Sequence, residues 1–207
     1  MAKGVTAIID YGVGNLFSLN SSLISCGADC VITSDAHDLK NASRIVLPGV
    51  GAFEDAAKKL NDTGLVETIK EQVKNGKPLL GICLGMQMLF EKSYEYGEHK
   101  GLGLIPGSVI PLKEEPKCAS LKIPHIGWNY LQLKEGEELF KYLPKDNYVY
   151  YVHSFYAKTE KEYITSTSEY GIDVTGSVRN GNVMGTQFHP EKSGSCGLLM
   201  LKAFCEM

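Results

Sequence analysis

Two segments far apart in the chain carry the residue types from which a nucleophile and its base can be built. The first is Gly81-Ile82-Cys83-Leu84-Gly85, which follows the apolar run Pro78–Ile82 and opens a helical pattern. Strand, sharp turn and helix in that order form the setting of a nucleophile elbow, here with cysteine where hydrolases often carry serine. The flanking glycines leave room for neighbouring backbone beside the sulfur. A helix N-terminus favours thiolate over thiol, and the Leu84 amide would face the oxygen of an attacked carbonyl. Read without its context, Cys83 is a small buried hydrophobe.

The second segment is Gln187-Phe188-His189-Pro190-Glu191-Lys192-Ser193. In extended chain, residues i and i+2 face the same way about 6.5 Å apart, so Glu191 can orient the His189 ring. Pro190 biases His189 towards that extended backbone. A histidine held by a carboxylate is the base a cysteine nucleophile needs, and then the acid for a leaving amine. The plainer alternative is a surface loop that caps the last helix. A zinc-deaminase reading of His-x-Glu needs a downstream Pro-Cys-x-x-Cys, and only the lone Cys196 follows. In Leu47-Pro48-Gly49-Val50-Gly51, two glycines after a strand allow backbone angles that could turn a second amide towards an oxyanion.

Strands and helices must bring these segments together. The apolar runs Val5–Tyr11, Cys30–Thr33, Arg44–Leu47 and Pro78–Ile82 are predicted as strands, the first and last of them buried. They alternate with predicted helices over Asn15–Ser25, Phe53–Leu60, Leu65–Asn75 and Leu84–Lys92. In the third of these, Leu65, Val66, Ile69 and Val73 share one face, and Gly76 ends it. Such alternation implies parallel pairing with helices on both faces. The second half is β-rich: Ser108–Leu112, Trp128–Leu133, Tyr148–Tyr156, Tyr163–Thr167, Val174–Arg179 and Val183–Gln187 read as strands of an antiparallel extension, before a last helix over Cys196–Phe204. The fold class is therefore α/β.

The chain has 207 residues, 43% of them hydrophobic, and a net charge of −3. That describes one folded domain spanning 1–207, neither disordered nor marked by the basic excess of a nucleic-acid binder. Its apolar runs are too short to cross a bilayer, and the start MAKGVTAIID lacks an apolar leader, so a cytoplasmic protein is expected. The six cysteines form no CxxC pair and are read as thiols, with no metal site.

The motifs PGVG, GICLGMQ and QFHPEKS, in this order and spacing, resemble those of the class I, triad-type glutamine amidotransferases. Asp10–Asn15, Pro124–Asn129 and Tyr151–Tyr156 narrow the resemblance to the branch that works with a (β/α)8-barrel cyclase subunit. The resemblance implies a flavodoxin-like mixed sheet flanked by helices. It also implies hydrolysis of L-glutamine by Cys83, His189 and Glu191, with Gly49, Val50, Gly51 and Leu84 forming an oxyanion pocket. Gln87 and Glu95 would hold the substrate head group, and Ser154 and Phe155 would add backbone contacts. Asn15, Trp128 and Lys192 would face the barrel, which takes up the ammonia. A peptide flip in the Gly49–Gly51 turn would keep activity low until that partner engages. No cofactor or metal is implied. Ile126 stands where the family often has Met, and Ala203 where it usually has Asn. The alternatives are a paralogous glutaminase feeding another synthase, such as one aminating a surface sugar, a peptidase using the same three residues, or a non-enzymatic regulatory subunit. Intact Cys83, His189 and Glu191 speak against the last.

Overall fold

A computed structural model describes residues 4–207. The expectation of no apolar leader, where it concerns residues 1–3, lies outside the described residues. The first half runs β1 (Thr6–Ile9), α1 (Leu16–Ser25), β2 (Cys30–Thr33), α2 (Ala36–Asn41), β3 (Arg44–Leu47), α3 (Phe53–Asp62), α4 (Leu65–Lys74), β4 (Leu79–Ile82) and α5 (Leu84–Met88). The second adds β5 (Phe90–Ser93), β6 (His99–Lys100), β7 (Ile105–Pro111), β8 (His125–Tyr130), β9 (Gln132–Leu133), β10 (Tyr148–His153), β11 (Phe155–Lys158), β12 (Ile164–Tyr170), β13 (Ile172–Asn180), β14 (Val183–Thr186) and α6 (Gly194–Cys205).

The main sheet has the order β2-β1-β3-β4-β14-β13-β12-β9. Its first five strands are parallel and the rest antiparallel. Alternation along each buried strand feeds two cores. Ala7, Ile9, Ile45, Leu47 and Leu79 pack with Leu39, Phe53, Leu60, Leu65 and Ile69 from α2, α3 and α4. On the other face Ile8, Val46, Leu80 and Ile82 pack with Leu19, Leu23, Met200, Leu201 and Phe204 from α1 and α6. No helix among the described residues is long and apolar enough to cross a membrane.

The structure corrects four local expectations. The helix expected over Leu84–Lys92 stops at Met88, and Phe90–Ser93 becomes a strand. That strand pairs with β7 and β6 and buries Phe90 and Ser93, so tertiary pairing overrides the local helix preference. The single strand expected over Tyr148–Tyr156 breaks at Ser154: β10 pairs with β8, and β11 leaves to join β7 in another sheet. Only β9, β12, β13 and β14 extend the main sheet; the other second-half strands form a two-stranded ribbon, β10-β8, and a four-stranded sheet, β11-β7-β5-β6. Helix α2 was not expected. Asp35 starts it by accepting a hydrogen bond from the His37 amide (2.8 Å).

Candidate active site

The central pair β4 and β14 runs in parallel register, with Gly81 opposite Gly185 and Ile82 opposite Thr186. The chain therefore leaves both strands at the same level, and position 83 meets position 187. There the Cys83 amide donates to the Thr186 carbonyl (2.7 Å). Cys83 itself has φ 54° and ψ −111°, a left-handed conformation that is strained for a residue with a side chain. The glycines around it are sterically required. A methyl on Gly85 would run into the Leu47 carbonyl, and one on Gly81 would lie 2.7 Å from the Gly85 oxygen. Neighbouring backbone thus occupies the space those side chains would fill.

His189 is extended, with φ −98° and ψ 101°, and is almost fully buried. Its Nδ1 lies 2.8 Å from Glu191 Oε1; the two side chains meet, but through a 3-10 turn over Pro190–Lys192 that Pro190 starts, and not through the extended i, i+2 geometry expected. Ser193 locks the turn by donating to the His189 carbonyl (2.7 Å) and accepting from the Tyr150 amide (3.0 Å). Burial disfavours a charged His189 ring. The Cys83 sulfur and the Glu191 carboxylate outweigh that penalty and hold its pKa up at about 9. Its Nε2 is buried without a hydrogen bond of ordinary geometry, and Cys83 is the group that acts on it.

Cys83 and His189 line one cavity of about 310 Å³ together with Val50, Gly51, Leu84, Gln87, Glu95, Ser154 and Phe155. Glu191 stands behind His189 and, with Gly49 and Asn15, borders a separate small crevice. Gly49 packs under the elbow, where a methyl would lie 2.7 Å from the Gly85 nitrogen. Tyr11 donates its hydroxyl to the Pro48 carbonyl (2.6 Å), tethering that turn. Gln87 is buried, and its Nε2 donates to the Phe155 carbonyl (3.1 Å) and to Gln187 Oε1 (3.0 Å). What it can still offer a ligand is its Oε1, an acceptor. Glu95 Oε2 accepts from the Phe53 amide at the start of α3 (2.8 Å). Burial raises the Glu95 carboxyl pKa, opposed by that hydrogen bond and by His99.

Asn15, Trp128 and Lys192 lie outside this cavity. Asn15 caps α1, accepting from the Ser18 amide (3.3 Å), and is exposed. Trp128 is 57% exposed on β8, edge-on to Tyr150, and Lys192 is exposed in the turn after His189. No cluster of three or more metal-ligating side chains occurs among the described residues.

Sequence reasoning missed a buried histidine relay. Asn129 Nδ2 donates to His125 Nε2 (3.3 Å), His125 Nδ1 lies 3.0 Å from His153 Nε2, and His153 Nδ1 lies 2.9 Å from the Phe155 carbonyl. A carbonyl can only accept and the asparagine amide can only donate, so both ends set the same direction: each ring is neutral and donates from Nδ1. Burial pushes His125 down to about 4. Burial, with His125 and His189 nearby, pushes His153 down to about 3. The relay holds the break at Ser154 that carries the strand from one sheet to the next. His153, Pro124 and Tyr96 also line the cavity. The only signal for the relay in the sequence is its place in the Pro124–Asn129 and Tyr151–Tyr156 segments.

The family model for class-I glutamine amidotransferases matches residues 7–205. The chain belongs to the class-I glutamine amidotransferases. This amidotransferase is 51% identical over 200 residues to the imidazole glycerol phosphate synthase subunit HisH of Listeria monocytogenes serotype 4a (strain HCC23), covering 97% of this chain and 94% of that one. It is 49% identical over 201 residues to the protein of the same name in Caldanaerobacter subterraneus subsp. tengcongensis, covering 97% of each chain. Its fold is shared with PurLQS from Thermotoga maritima, at TM-score 0.74 and 19% identity over 98% of each chain.

Proposed function

We propose that this amidotransferase is the glutaminase subunit of imidazole glycerol phosphate synthase, the role its HisH relatives are named for. The observation that carries the chemistry is the meeting of Cys83 with the His189–Glu191 pair at one cavity wall. The Cys83 thiolate attacks the side-chain amide carbon of L-glutamine. Ammonia leaves with a proton from His189, and water then hydrolyses the glutamyl thioester with His189 as base. Glu191 keeps the ring in position. The Leu84 amide and the Gly49–Val50–Gly51 turn receive the developing oxyanion. Gln87, Glu95, Ser154 and Phe155 hold the rest of the substrate. No cofactor is required for this chemistry.

Ammonia passes to the HisF cyclase, a (β/α)8 barrel working with this subunit in the cytoplasm, which makes imidazole glycerol phosphate and AICAR in histidine biosynthesis. Asn15 and Trp128 flank the His189–Gly194 turn that carries Lys192, which suits a face against the barrel. The test is glutamine-dependent synthesis of imidazole glycerol phosphate by the chain mixed with HisF. Cys83→Ala should abolish synthesis from glutamine and leave synthesis from free ammonia intact. Glutamate release that survives Cys83→Ala would overturn the mechanism. Failure to couple to HisF, with coupling to another synthase, would overturn the choice of partner.

A further inference from the structure

We infer that Gln187 is a catalytic residue of this site: its side-chain amide donates a hydrogen bond to the Cys83 sulfur and stabilises the thiolate. The inference rests on Cys83 being the nucleophile and adds a group with no assigned part in the reaction. Gln187 is fully buried, directly after β14, and its backbone amide is held by the Gly176 carbonyl (2.8 Å). Its Nε2 lies 3.8 Å from Cys83 Sγ, within range for a donor to sulfur.

The direction of this contact follows from the network, although the two ends of an amide look alike. The Phe155 carbonyl can only accept, so Gln87 must turn its Nε2 towards it. The same Nε2 lies 3.0 Å from the Gln187 side chain, which must therefore present its Oε1. Gln187 Nε2 is left facing the sulfur. Among the described residues it has no other acceptor within hydrogen-bonding distance. A buried amide donor is costly unless bonded, a thiol is a weak acceptor, and a hydrogen bond to a charged group is about twice as strong as a neutral one. The Gln187 amide is therefore a better partner for a thiolate than for a thiol.

The other source of positive potential at Cys83 is the start of α5. Helix α5 spans only Leu84–Met88. Its first turn offers free amide groups to the sulfur, and Gln187 adds a side-chain donor to them. Gln187 and His189 stand two residues apart in the segment after β14 and both face the Cys83 side of the site, Gln187 with a hydrogen bond to the sulfur. His189 supplies a movable proton and Gln187 a fixed one. The fixed donor also serves the second half of the reaction, where the thiolate is the group expelled from the thioester.

The test is the pH dependence of iodoacetamide alkylation at Cys83 in the full chain, resolved from the other cysteines by peptide mass spectrometry. Gln187→Met keeps the length and removes the donor, while Gln187→Glu puts a carboxylate oxygen in its place. We expect the half-maximal pH to rise by about one unit in the first variant and by more in the second, with circular dichroism unchanged. Should both variants fail to fold, Gln87→Met releases the Gln187 amide and is expected to shift the profile in the same direction by less. A profile that coincides with wild type in every folded variant overturns the inference. Glutaminase activity of the complex that survives Cys83→Ala overturns the underlying mechanism instead, whatever the alkylation profiles show.

Discussion

At the residue scale, removing Cys83 takes away the cavity-wall nucleophile that stands beside His189. Cys83→Ala is expected to lower glutamine turnover by about 10⁴-fold or more. Glu191→Gln leaves a side chain of the same shape beside His189 but removes its charge, and should cost about 10³–10⁴-fold; steady-state glutamate release measures both. The titrating histidines make a further prediction. His189 is held at about 9, against an ordinary 6.5, so its contribution to stability is complete below pH 6.5 and is lost as pH rises through 9. His125 and His153 are pushed to about 4 and about 3, so between those values and 6.5 the unfolded chain binds protons that the folded chain refuses. Stability falls there as pH falls. The urea midpoint should therefore peak near pH 6.5. Cys83→Ala is expected to flatten the alkaline limb, and His125→Asn the acid one.

At the scale of elements, the elbow works because β4, α5 and the turn after β3 approach too closely for side chains at Gly81 and Gly85. Gly85→Ala forces a methyl into the Leu47 carbonyl. It should cost about 1–3 kcal/mol, a fall in Tm of several degrees, together with much of the activity. Calorimetry and turnover on the same preparation test this. The relay from Asn129 through His125 and His153 to the Phe155 carbonyl acts on one feature, the break between β10 and β11. His153→Leu fills the space but severs the relay. Its expected signature is a KM for glutamine raised by about tenfold with a smaller change in kcat, because Ser154 and Phe155 line the cavity and are proposed to hold the substrate.

At the scale of the molecule, Trp128, Lys192 and Asn15 stand on β8, the turn after His189 and the start of α1, all around the segment that holds the proposed base. A partner seated there would press directly on that segment. Trp128→Ala is expected to weaken binding of the barrel subunit by about 2 kcal/mol or more, measured by calorimetry, while Cys83 in the free chain keeps its alkylation rate. An unchanged affinity would remove Trp128 from the interface.

The residues alone pointed to Cys83 and to the contact of His189 with Glu191, because an elbow and a pair of near neighbours in sequence depend on local backbone, although the pair meets through a 3-10 turn and not an extended segment. They carried the parallel first half for a related reason: β1, β3 and β4 are buried on both faces and read as short apolar runs, while the edge strand β2 is partly exposed. Three features depended on contacts between distant segments. The helix after Cys83 ended early because Phe90 found a strand to pair with, the strand through Ser154 changed sheets because two buried histidines held the bend, and Gln187 met the sulfur because β14 lies in register beside β4. No local pattern encodes these pairings; they follow from which distant surfaces are buried against one another.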